Sequence, residues 1–184
     1  MATPDKPFPT KWPFGVLMTA QWVLSFAALI AVWSLDFWWA GARLVHYTAA
    51  TTFGTALFSW FAHLFGLHKP LQLGQIHFYI PFAITKFVYS TIMFVLYIPS
   101  MWFCIYYMFV GFNYTGNTAV VNAFAAVFCA LAGGTCGYLA LLLYRAAENK
   151  PIKLLGMYIE GTTTVKFAST KESTTETAGA PQKV

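Results

Sequence analysis

Residues 13–35 read PFGVLMTAQWVLSFAALIAVWSL, a run with no charged side chain. A helix rises 1.5 Å per residue, so roughly 20 residues cross a hydrocarbon core of about 30 Å, and this run is long enough to span. A cleavable signal peptide has an apolar stretch of only about 7–15 residues followed by a small-residue cleavage site, which does not fit. Two later runs, 87–110 (FVYSTIMFVLYIPSMWFCIYYMFV) and 119–144 (AVVNAFAAVFCALAGGTCGYLALLLY), are equally free of charge. A fourth, 47–67, has threonines at 48, 51, 52 and 55 but no Asp, Glu, Lys or Arg. Threonine hydroxyls bond back to their own helix, which makes such a segment tolerable in lipid.

The composition agrees. Of 184 residues, 58% are hydrophobic and 9% charged. Soluble domains carry about 25% charge, so this chain has too little polar surface to coat a water-soluble particle. A soluble multidomain enzyme, a disordered chain and a disulfide scaffold are therefore excluded. The net charge is +5, but the cations are scattered singly rather than gathered in the stripe that nucleic acid requires, so no nucleic-acid partner is expected. Cys104, Cys129 and Cys136 all lie inside apolar runs and are odd in number, which does not suit an extracellular disulfide framework.

The expected architecture is an all-α membrane protein, a four-helix bundle with spans near 13–35, 47–67, 87–110 and 119–144. Residues 1–11, with Pro4, Pro7 and Pro9, read as a short tail, and residues 12–147 as the membrane domain. Asp36–His46 reads as a short interfacial loop. Trp12, Trp38 and Trp39 have the amphipathic rings that anchor at headgroup depth. His68–Lys86 mixes Pro70, Gly74 and Pro81 with alternating apolar residues and reads as an interfacial lead-in to the third span. Pro99 is expected to bend that span. Residues 148–184 read as a tail in which 151–161 hug the surface and 162–184, rich in Ser, Thr, Ala and Gly, are disordered.

Four spans put both termini on one side, and the flanking charges suggest which. Lys6, Lys11, Lys69, Lys86, Arg145, Lys150 and Lys153 lie on the termini side against Arg43 opposite, which predicts cytoplasmic termini. Asn113-Tyr114-Thr115 is an N-x-T glycosylation pattern in the third loop, on the opposite face. Serines and threonines of the tail are sites where phosphate could be added.

Few residues suggest chemistry. In the fourth span Ala126, Ala130 and Gly134 recur every fourth residue, as do Gly133 and Gly137, and these small residues are expected to form one helix-packing face. Histidines 46, 63, 68 and 77 raise the question of haem, but a bis-histidine site needs two imidazoles at one depth on facing helices, and these are not so spaced. Every Asp and Glu lies outside the spans, where a proton relay would need one. No phosphate loop, zincin or nucleophile-elbow motif occurs. No enzyme activity and no cofactor or metal is expected.

The first span and its approach, FPTKWPFGVLMTAQWVLSFAALIAV with its Gln21-Trp22-Val23 step, and the last span, VNAFAAVFCALAGGTCGYLALLLYR, resemble the MARVEL-domain proteins, in particular their compact, short-loop branches. The second loop is longer than that family's pattern, and the acidic residue often found near its third helix is replaced by Lys86 or absent. The resemblance implies an integral membrane organiser associating with lipids or other integral membrane proteins, with homo-oligomers within its range. Vesicle traffic, membrane apposition or cell junctions would be its setting, in the plasma membrane or a vesicle membrane. Two alternatives stay open: a small channel or transporter subunit, with Thr51 and Thr55 lining a path, and a haem-binding electron carrier.

Overall fold

The structure, a computed structural model, describes residues 7–35, 39–67, 71–73, 76–78, 81–113 and 116–166. Four long helices dominate it: α1 (Phe14–Trp33), α2 (Ala40–Leu64), α3 (Phe82–Gly111) and α4 (Gly116–Ala146). Helices α1, α3 and α4 are long and apolar enough to cross a membrane. The chain is thus a largely helical membrane protein. Helix α2 has 25 residues, but Arg43, His46, Ser59, His63 and its threonines dilute its apolar character.

The helices differ from the expected spans at their ends. Helix α2 starts at Ala40 rather than Tyr47, so most of the expected interfacial loop is helical. Helix α3 starts at Phe82, directly after Pro81, and Lys86 therefore lies inside it. It continues through Pro99, where the hydroxyl of neighbouring Ser100 donates to the Leu96 carbonyl at 2.8 Å. The fold is not purely helical. Strands β1 (Leu71–Leu73) and β2 (Ile76–Phe78) form one antiparallel hairpin, and β3 (Met157–Ile159) and β4 (Thr164–Lys166) form another.

Each helix turns one narrow seam inward. The buried positions include Met18, Gln21, Ser25, Ala28 and Val32 on α1, and Lys86, Ser90, Met93, Tyr97, Ser100 and Cys104 on α3. On α4 they include Asn122, Ala125, Cys129, Ala132, Cys136, Leu139 and Leu143. Steps of three and four residues alternate along all three, the spacing at which helices pack side by side with small crossing angles. The outward positions are large and apolar: Phe58, Trp102, Phe109 and Phe124 are all more than half exposed. Polar groups inside and apolar groups outside reverse the pattern of a soluble protein, as a hydrocarbon solvent requires.

The two ends of the described chain meet at one end of the bundle. Phe8, in the short 3-10 helix Phe8–Thr10, is fully buried and joins Phe14, Leu17, Leu139, Leu143, Leu154 and Ile159 in a single apolar cluster. Residues 1–11 are therefore not a free tail throughout. The C-terminal region is likewise structured as far as residue 166: a 3-10 helix, Pro151–Gly156, leads into the β3–β4 hairpin, and Leu154, Met157 and Ile159 are core residues. Helix α4 is stopped by Glu148 and Asn149, both with positive φ, and Lys153 pairs with Glu148.

This junction depends on two glycines. Helix α1 has no side-chain cap, and the Gly161 carbonyl instead accepts from Phe14 N at 2.9 Å and Gly15 N at 3.3 Å. Gly161 has φ +97° and lies against Lys11 and Phe8, so it needs both the left-handed backbone and the missing Cβ. A Cβ on Gly15 would fall 1.9 Å from the Phe8 carbonyl oxygen, which forces glycine there too.

Candidate functional site

Between the terminal cluster and a second apolar cluster toward the far end lies a layer of buried polar side chains. Ser25 donates to the Gln21 carbonyl at 2.6 Å, and its oxygen lies 3.0 Å from the Tyr97 hydroxyl. The Gln21 amide donates to Cys136 Sγ at 3.2 Å and Ser90 Oγ at 3.4 Å. Farther along, Ser100 Oγ lies 3.4 Å from Thr48 Oγ1. These contacts tie α1 to α3 and α4, and α3 to α2. In lipid, where apolar burial gives helices no reason to associate, such bonds and close packing are what hold a bundle.

A cleft of about 250 Å³ opens between α2 and α3 on the same side of the bundle as the chain ends. Gly54, Thr55, Phe58 and Ser59 line it from α2, and Phe82, Thr85, Lys86 and Tyr89 from α3. Its wall is almost wholly apolar in surface. Five of the lining residues nevertheless carry polar groups: Thr55 and Thr85, whose hydroxyls donate to the Thr51 and Pro81 carbonyls at 2.8 and 3.0 Å, and Lys86, Ser59 and Tyr89. Lys86 is only 5% exposed, and helices α1 to α4 contain no Asp or Glu to neutralise it. The Ser59 and Tyr89 hydroxyls are buried and have no hydrogen-bond partner. A shallower apolar groove along Ile84, Val88 and Ile92 shares Thr85 and Tyr89 with the cleft.

The residues singled out from the sequence are distributed differently from expectation. Gly133 and Gly137 face α3: a Cβ on either would meet Tyr97 at 2.9 Å or Phe94 at 2.8 Å. Ala126 is buried, whereas Ala130 and Gly134 are exposed, and a Cβ on Gly134 would meet nothing within 4 Å. The two small-residue series therefore do not share a face, because a fourfold spacing drifts around a helix of 3.6 residues per turn. Trp12 is exposed, while Trp39 is buried with its ring 4.1 Å from that of Tyr107. Trp38 lies outside the described residues. Asn113 is exposed just after α3; Tyr114 and Thr115 of its tripeptide are outside the described residues.

The expected threonine path is occupied by local bonds. Thr51 donates to Tyr47 O at 2.7 Å and Thr55 to Thr51 O at 2.8 Å, so both hydroxyls are turned to their own helix. Of the histidines, His63 is buried beside the Phe8 ring with Nδ1 2.7 Å from Ser59 O, and His46 lies near Trp33 at the other end of α2. The two are on one helix, not facing each other, and His68 is outside the described residues. Among the described residues no three His, Cys, Asp or Glu side chains gather as metal ligands.

Lys86 is the residue that a reading of charge alone misplaces. Counted as a flanking cation, it is instead a member of the inward seam 83, 86, 90, 93, 97, 100, 104. That spacing is present in the sequence and ties the lysine to the serines and tyrosine of the polar layer. No family model, no curated protein and no solved structure matches this chain.

Proposed function

We propose that this chain is a four-span membrane organiser, both termini cytoplasmic, that works through its lipid-facing surface on lipids and other integral membrane proteins. The observation that carries this reading is the inversion of polarity: Gln21, Ser25, Ser90, Tyr97, Ser100 and Thr48 are buried and bond across the helices, and the outer surface is largely apolar and aromatic. The molecule's contacts with its surroundings are then those of a lipid or a neighbouring helix.

Helix α2 serves as the fourth span. At 25 residues it reaches about 37 Å, and the residues that lower its hydropathy face the bundle: Thr48, Thr52, Ser59 and His63 are buried. Arg43 lies one turn from its start, within reach of the interface. The meeting of the chain ends at one end of the bundle fits an even number of crossings. With Lys86 set aside as buried, Lys6, Lys11, Lys69, Arg145, Lys150 and Lys153 still oppose Arg43 alone, which favours cytoplasmic ends. The likeness of the first and last helices to MARVEL-domain proteins points the same way, toward vesicle traffic, membrane apposition or junctions at a plasma or vesicle membrane.

Tags on the two ends, read with and without permeabilisation, test the topology: both become accessible only on permeabilisation. Proximity labelling in cells is expected to return integral membrane proteins, and liposomes containing only this chain are expected to pass no ions. Ion flux abolished by Thr51→Phe or Thr55→Phe would replace the organiser with a channel.

A further inference from the structure

We propose that the cleft between α2 and α3 binds one anionic phospholipid from the leaflet at the termini end, its phosphate held by Lys86, Ser59 and Tyr89 and an acyl chain lying against Gly54 and Phe58. This deepens the organiser reading and rests on it, since the cleft opens to lipid only if α2 and α3 both span.

The argument begins with charge. An ionisable side chain buried in a membrane helix is costly and marks a functional site whose partner should be sought. Lys86 is one turn into α3, deep enough that its side chain is 95% buried, and no carboxylate on any of the four helices can answer it. A lysine that merely snorkels leaves its ammonium in water or headgroups. Lys86 is instead buried on the inward seam of α3 while also lining the cleft. Ser59, 6% exposed, and Tyr89 bring two more donors to the same cleft, neither with an acceptor in the protein. One cation and two idle hydroxyls call for an anion with several acceptor oxygens, which a phosphodiester has, and because no helix carboxylate balances Lys86 the headgroup must be net negative, unlike phosphatidylcholine, whose own cation already neutralises its phosphate.

The rest of the wall matches an acyl chain. Phe58 is 70% exposed on the outer side, Gly54 leaves the space beside it unfilled, and the groove along Ile84, Val88 and Ile92 offers a track for a second chain. Two chains and a phosphate commit the site to a phospholipid rather than a free fatty acid.

The test is native mass spectrometry of the purified full-length chain with added phosphatidylserine, phosphatidylcholine or oleate. The wild type should retain one phosphatidylserine with roughly tenfold preference over phosphatidylcholine, the scale of one charged hydrogen bond. Lys86→Met should erase the preference, and Gly54→Leu, which fills open space without a backbone clash, should abolish retention, each with an unchanged circular dichroism spectrum. Equal retention of both phospholipids by the wild type, full preference in Lys86→Met, or displacement by equimolar oleate overturns the proposal. Any of these with both chain ends still on one side of the membrane removes the lipid site alone; ends on opposite sides remove the bundle reading beneath it.

Discussion

Ser25 on α1 and Tyr97 on α3 are joined by a 3.0 Å hydrogen bond, with the serine fully buried and the tyrosine 2% exposed. Because Ser25 already donates to the Gln21 carbonyl, the tyrosine hydroxyl is the donor between the helices. Tyr97→Phe removes that bond but leaves Ser25 with its backbone partner, so the loss is expected to be modest, about 0.5–1.5 kcal/mol. A double-mutant cycle with Ser25→Ala, followed by denaturant titration in detergent, should return a coupling of that size. A coupling of zero would mean that the polar layer does not hold the bundle.

Two adjacent glycines on α4 should behave oppositely. Gly133→Ala drives a Cβ to 2.9 Å from the Tyr97 Cβ, and overpacking of this kind costs about 1–3 kcal/mol. Gly134→Ala meets nothing within 4 Å and gains up to about 1 kcal/mol of helix propensity. Thermal unfolding of the two variants in one detergent distinguishes them, and equal shifts would show that α4 is rotated from the described register.

The terminal cluster predicts a coupling between distant parts of the sequence. Phe8 is fully buried and its ring lies 5.2 Å from that of His63. Phe8→Ala should open a cavity where the chain ends meet, increasing protease cleavage within 157–166 while leaving the long helices intact by circular dichroism. An unchanged cleavage rate in the hairpin would mean that the two ends fold independently.

Outside the membrane helices, burial first, then repulsion from Glu160 and the hydrogen bond that the phenol donates to the Glu160 carboxylate, raise the pKa of Tyr158 above its ordinary value. A raised folded-state value means that the neutral phenol favours the native hairpin. This contribution is complete below the unfolded tyrosine pKa of about 10 and fades as pH climbs through the higher folded value. Ultraviolet titration should place Tyr158 later than an exposed tyrosine, and Glu160→Gln should bring it earlier.

Much of the architecture was readable because hydrocarbon imposes a length. Charge-free runs of more than 20 residues located α1, α3 and α4, although α3 begins before its run, at Phe82 directly after Pro81, in a stretch that read as an interfacial lead-in. What the runs did not reveal was rotation about each helix axis. Gly133 and Gly134 are indistinguishable in a list of small residues, and only the neighbouring Tyr97 separates them. Lys86 was misassigned for a related reason: near a helix end, charge alone does not distinguish an interfacial cation from one turned into the bundle. The segment 151–166 read as tail because its core residues Leu154, Met157 and Ile159 are interspersed with polar ones and have meaning only against Phe8 and Phe14.

The Gly161 carbonyl that completes the start of α1 reverses the order in which synthesis delivers the parts. During translation α1 is made well before residue 161 has left the ribosome, so its leading amides must rely on other partners until the β3–β4 hairpin arrives. The start of α1 is therefore completed only after Gly161 has been made, and a ribosome stalling before that glycine would leave a chain whose defect shows at α1.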